Sequence, residues 1–79
     1  MHHLTLYASF LAEELRGNPS IDQALDPGDQ DMVYGTIDLV KRVKDLANRQ
    51  EIADHLISTF KQEGVTFDYD EFLKMCGLL

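Results

Sequence analysis

The chain has 79 residues, 44% of them hydrophobic and 27% charged, which is the composition of one folded globular domain rather than a disordered segment. Fourteen acids against seven bases give a net charge of −7, and such a surface repels phosphate backbones and anionic lipid; direct nucleic-acid or membrane binding is not expected. With one cysteine, Cys76, the chain can form neither an internal disulfide nor a zinc-finger framework. A lone thiol suits a reducing cytosol, the opening Met1-His2-His3-Leu4 lacks a basic secretory n-region, and no apolar run approaches bilayer length, so a cytoplasmic location is expected.

Helical spacing starts at once. Leu4, Tyr7, Leu11 and Leu15 make a stripe with Phe10 beside it and Glu13, Glu14 and Arg16 outward, and Gly17-Asn18-Pro19 stops it. Ser20-Ile21-Asp22-Gln23 reads as a capping box opening a short turn that carries Ile21, Ala24 and Leu25. Asp26-Pro27-Gly28-Asp29 is a second start, with Asp26 as cap and Pro27 at the first helical position. The helix it opens carries Met32, Val33, Thr36, Ile37, Val40, Val43, Leu46 and Ala47, with Lys41, Arg42 and Lys44 toward its negative end. Gly35 inside it is a weak point, read either as a close contact with another helix or as incidental. A break near Asn48, in Asn48-Arg49-Gln50-Glu51, begins a helix packing Ile52, Ala53, Leu56, Ile57 and Phe60 and ending at Gly64. Val65-Thr66-Phe67 is an extended connector, and Asp68-Tyr69-Asp70-Glu71 caps a last helix with Phe72, Leu73, Cys76 and Leu79.

The expectation is therefore one all-α domain over residues 1–79: a compact four-helix array, orthogonal or bundle-like, with a short extra helical turn. Its core should gather Tyr7, Leu11, Ile37, Val40, Ile52, Leu56, Phe60, Phe67 and Phe72.

Sites of known chemistry fail on inspection. The string from Gly64 to Leu73 resembles the second half of an EF-hand, with Glu71 as the final ligand. Counting back, the first, third and fifth ligand positions fall on Phe60, Gln62 and Gly64, which cannot hold calcium. Gly35-Thr36-Ile37-Asp38 fails likewise, because its final position is Lys41. Length and acidity resemble an acyl carrier protein, but none of Ser9, Ser20 and Ser58 follows an Asp. Glu51, Ile52, Gly64, Phe67, Asp70 and Glu71 resemble the helix-turn-helix end of nitrogen-fixation-associated leader peptides over about a third of the chain; the small-residue cleavage site that this resemblance implies after the last helix is missing. Met1-His2-His3 has the pattern of an N-terminal copper or nickel site, which exposed termini often carry incidentally, and His55 lies one turn after Glu51 as a solvated pair. No cofactor, metal or catalytic constellation is expected, and the chain does not read as an enzyme.

What remains is an interaction role. Asp22, Asp26, Asp29, Asp31 and Asp38 lie in a stretch from Gly17 to Val40 that holds no base. The leading expectation is a non-enzymatic regulator, adaptor or inhibitor of bacterial or phage type that binds a protein partner, basic in character, through Asp22, Asp26, Asp29 and Asp31 with Met32 and Tyr34 as adjacent exposed anchors. A homodimer would also suit a domain this small. The alternative is a polyanion mimic blocking a nucleic-acid-binding protein, which requires acids spaced like phosphates along one face.

Overall fold

A computed structural model describes residues 17–79, where four helices and no strand are found: α1 (Pro19–Asp22), α2 (Pro27–Lys41), α3 (Leu46–Gln62) and α4 (Tyr69–Met75). The fold is all-α. The first expected helix, with Tyr7 and Leu11 of the expected core, lies outside the described residues.

Each helix starts on a short polar side chain. Asn18, not Ser20, caps α1: Pro19 takes the first helical position and holds the residue before it extended, and Asn18 Oδ1 accepts from the Ser20 N–H at 3.0 Å and the Ser20 hydroxyl at 2.8 Å. Asp26 caps α2 as expected, accepting from the Asp29 N–H at 2.9 Å. Asp68 caps α4, accepting from the N–H groups of Asp70 and Glu71 at 3.1 and 3.4 Å.

The boundary between α2 and α3 departs from the sequence reading. α2 ends at Lys41, and α3 begins at Leu46 with Asp45 as its cap, the carboxylate accepting from the Asn48 N–H at 3.0 Å. Val43 therefore lies in the connection, and Leu46 and Ala47 belong to α3. A bond across the turn holds the break: the Arg49 guanidinium donates to the carbonyl of Val43 at 2.8 Å and to that of Lys41 at 3.3 Å, satisfying oxygens that the end of α2 leaves open. Asp45, a preferred cap residue three positions before Asn48, is the local signal for that start.

Two glycines close helices in the same way. Gly64 (φ +76°) follows α3, with the Val65 N–H reaching Phe60 O at 2.8 Å and the Gly64 N–H reaching Lys61 O at 3.3 Å. Gly77 (φ +78°) repeats the pattern after α4 through Leu78 to Leu73 O at 2.9 Å and Gly77 to Lys74 O at 3.0 Å.

Between these ends the core gathers Ile21, Val33, Tyr34, Ile37, Val40, Ala53, Phe60, Val65, Phe67, Phe72 and Cys76. Phe72 stands edge-on to Phe60 at 5.6 Å between ring centres, and Phe67 bridges Phe60 at 5.9 Å and Tyr69 at 5.0 Å, an arrangement that suits the ring quadrupoles. Phe67 thus plugs the core from the α3–α4 connection. Ile52, expected inside, is 42% exposed, and Leu56 is half-buried. The start of α3 at Leu46 turns Ala53 and Phe60, two turns apart, inward and rotates Ile52 off that line. No helix among the described residues is long and apolar enough to cross a membrane.

The same substitution has opposite effects at two glycines. Gly35 lies inside α2 with no described atom within 4 Å of where a Cβ would stand, so Gly35→Ala raises stability by about 0.5–1 kcal/mol. Gly64→Ala forces an L side chain into the left-handed region and lowers it by about 1–2 kcal/mol. Urea midpoints at equal slope check both signs.

Candidate functional site

Three of the six residues expected to meet a partner are engaged in the fold. Tyr34 is not an exposed anchor: it is 0% exposed, and its hydroxyl donates to Asp22 Oδ1 at 2.6 Å while accepting from the Gly17 and Asn18 N–H groups at 3.2 and 3.1 Å. The ring falls on the inward side of α2 with Val33, Ile37 and Val40, and a buried hydroxyl needs partners, which the α1 segment supplies. Asp22 is thereby half-buried and committed to Tyr34. Asp26 is the α2 cap. Asp29 sits half-buried in the first turn, where the helix dipole favours an acid, and Asp31 and Met32 are exposed, Met32 by 37%.

The structure brings Met32 together with a residue that the sequence reading passed over. At about 100° per residue, Met32, Gly35, Thr36 and Leu39 occupy one side of α2, roughly 140° around the axis from Val33, Tyr34, Ile37 and Val40. Leu39 is 65% exposed. Gly35 and Thr36 between the two apolar side chains are half-buried, and the Thr36 hydroxyl is turned back onto Val33 O at 2.8 Å. Along this side the small Gly35 and Thr36 stand between the larger Met32 and Leu39. Asp31 and Asp38 border it on one side and Asp29 on the other. Asp38 pairs with Arg42 at 3.1 Å, a contact one turn along the same helix. The i, i+3, i+4, i+7 spacing of 32, 35, 36 and 39 was open to a helical projection of the sequence; what it could not give was which side faced out.

Among the described residues, no group of three or more His, Cys, Asp and Glu side chains is gathered to hold a metal ion, and no buried side-chain nitrogen or oxygen lacks a hydrogen bond. Glu71 pairs with Lys74 at 3.5 Å, and His55 is exposed on α3. Cys76 is fully buried, and burial pushes its thiol up from 9.0 to about 11 against the opposing positive charges of Arg49 and Lys41. Burial likewise raises Tyr34 above its ordinary 10.0, reinforced by its hydrogen bond to Asp22.

Comparison with known protein families, with curated proteins and with solved structures finds no match to this chain.

Tyr34→Phe strands the Asp22 carboxylate and two backbone N–H groups, and should cost about 1–3 kcal/mol in a chemical denaturation. Both raised groups are held neutral by the fold, so their stabilising effect is complete below the unfolded values of 9.0 and 10.0 and is lost as pH rises through the folded ones. Stability should fall above about pH 9, the Cys76 part between 9.0 and about 11, as followed by thermal melts at stepped pH. The native Cys76 thiol should resist iodoacetamide at pH 8 and react promptly in denaturant; rapid native alkylation would contradict its burial.

Proposed function

We propose that the protein is a non-enzymatic interaction module, a small regulator, adaptor or inhibitor, that docks a basic protein partner on the outer face of α2. The observation that carries this reading is the pair Met32 and Leu39, exposed on one helical face with carboxylates of Asp29, Asp31 and Asp38 on its flanks. An apolar centre with a charged rim gives burial at the middle and selection by sign at the edge. The stretch from Gly17 to Val40 contains no base, and although Arg42 answers Asp38 from one turn on, the acids of the stretch outnumber that one base and favour Lys- and Arg-bearing surfaces.

The distribution of acids supports this over mimicry of a polyanion. Asp26, Asp45 and Asp68 cap three different helices and Asp22 holds Tyr34, so these carboxylates are set by the needs of helix ends and of one buried hydroxyl rather than spaced along a line. Self-association through the α2 face would oppose like-charged rims, which favours a different protein as partner over a second copy. The cytosol is a fitting setting for the unpaired Cys76.

Capture of a partner from the native host's extract, compared between the wild type and the Met32→Glu/Leu39→Glu variant, tests the proposal. Both substitutions are at exposed positions, so the fold should be kept while capture is lost, and raising salt to about 0.5 M should weaken wild-type capture through screening of the rim. Equal capture by both proteins would sink it.

A further inference from the structure

Residues 17–25 carry α1 and the turn after it, and among the described residues their hydrogen bonds to the rest of the structure run through side chains alone. The backbone bonds of the segment close within it. The N–H groups of Ile21 and Asp22 reach Asn18 O at 3.1 and 2.9 Å, that of Gln23 reaches Pro19 O at 3.0 Å, and that of Leu25 reaches Ile21 O at 3.1 Å. The bonds that leave the segment end mainly on two side chains of α2, one turn apart. Tyr34 donates its hydroxyl hydrogen to Asp22 and accepts from Gly17 and Asn18. Gln30 gives its side-chain amide to two carbonyls of the segment, Asp22 O at 3.0 Å and Leu25 O at 2.8 Å, which uses both of its hydrogens. A weaker contact runs to α4, from the Asn18 amide to the Met75 sulfur at 3.4 Å. Ile21 is the segment's one residue in the core, and Leu25 packs half-buried against it.

We propose that residues 17–25 are a strap that closes on α2 as one unit, latched by Gln30 and Tyr34, and that opens from it while α2, α3 and α4 stay folded. Opening strands no polar group, because the Tyr34 hydroxyl, the Gln30 amide and their partners all exchange one another for water. The core gives up Ile21 and keeps the ring cluster of Phe60, Phe67 and Phe72, which belongs to α3, α4 and their connection. The start of α2 is kept too, since its cap Asp26 lies beyond the strap and bonds to Asp29 in the first turn of α2 itself. A segment held by one core residue and a few side-chain bonds belongs to the low-stability end of a fold. It moves as a unit because its single helical turn is too short to persist once the latches let go. Closed, the strap hides the Tyr34 hydroxyl and half-buries the Asp22 carboxylate; open, it delivers both to water.

Amide hydrogen exchange of the full chain, followed by NMR in urea well below the unfolding midpoint, tests the strap. The amides of Ile21, Asp22, Gln23 and Leu25 should share one opening equilibrium and one urea slope. Their exchange should be at least about tenfold faster than that of Phe60 and Cys76, and the slope smaller, because less surface is exposed when the strap opens than when the chain unfolds. Tyr34→Phe and Gln30→Leu each remove one latch, and leucine suits the helix at position 30. Each variant should speed the four amides together by about tenfold and leave their slope small. Global stability falls with the same lost bonds, so the small common slope is the reading that separates the strap from whole-chain unfolding. Four amides that share the free energy and slope of Phe60 and Cys76 would overturn the proposal, as would four that exchange with unrelated free energies and no slope, which is fraying residue by residue. A variant that leaves all four unchanged overturns the latch at its position. Should Tyr34→Phe fail to fold, Gln30→Leu and the wild-type slopes decide the matter.

Discussion

The hydroxyl of Tyr34 ties the described structure together at its N-terminal side. It stands on the inner side of α2, donates to Asp22, and accepts from the first two described N–H groups, those of Gly17 and Asn18. One buried phenol thus satisfies the turn before α1, the carboxylate at its end and itself. α1 is a single turn and could not persist on its own hydrogen bonds, because nucleating a helix is costly and four residues repay little of that cost. It stays folded because Ile21 is buried against the core and Asp22 is anchored to Tyr34. Arg49 plays the corresponding part at the other end of α2, donating to carbonyls of the turn into α3. The two contacts fix where α2 starts its work and where it stops.

With its ends held, α2 becomes the element that divides the molecule. Its inner side supplies Val33, Tyr34, Ile37 and Val40 to the core, and its outer side keeps Met32 and Leu39 in water. The aromatic cluster of Phe60, Phe67, Phe72 and Tyr69 lies across the α3–α4 connection, so the bulk of the apolar volume is supplied without help from the outer side. The exposed pair stands outside the core of the described residues, and the weakness of Gly35 between them is borne by a helix that its described neighbours hold. That exposed pair is the physical content of the proposed docking face.

The acidity of the chain takes on a different meaning once each carboxylate has a place. Asp26, Asp45 and Asp68 are caps, Asp22 is the acceptor of a buried hydroxyl, and Asp70 and Glu71 sit in the first turn of α4. Each of these roles needs a carboxylate or a close relative and says nothing about a partner. Asp29, Asp31 and Asp38 lie around the outer face of α2, Asp38 in its pair with Arg42, so the candidate site keeps Asp29, Asp31 and Met32, gains Leu39, and loses Tyr34 to the core, Asp22 to its bond with Tyr34 and Asp26 to the cap.

Helix existence, the caps at Asp26 and Asp68, the stop at Gly64 and the inward place of Ile37, Val40, Phe60, Phe67 and Phe72 were all determined by the sequence, because capping, left-handed glycine turns and helical periodicity act over a few residues. The break at Asp45, the choice of Asn18 over Ser20 as cap, the exposure of Ile52 and the burial of Tyr34 came out otherwise than local pattern suggested. The Asn18 cap is itself local, set by Pro19 after it, and was there to be read. The Asp45 cap is local in the same way, backed by Arg49 reaching back to Val43; the other two were decided by tertiary structure, with Ala53 taking the inward line of α3 and a phenol satisfied by atoms 12 to 17 residues away. An amphipathic helix announces that it has two faces; only the partners that close over one of them determine which face is left for something else to find.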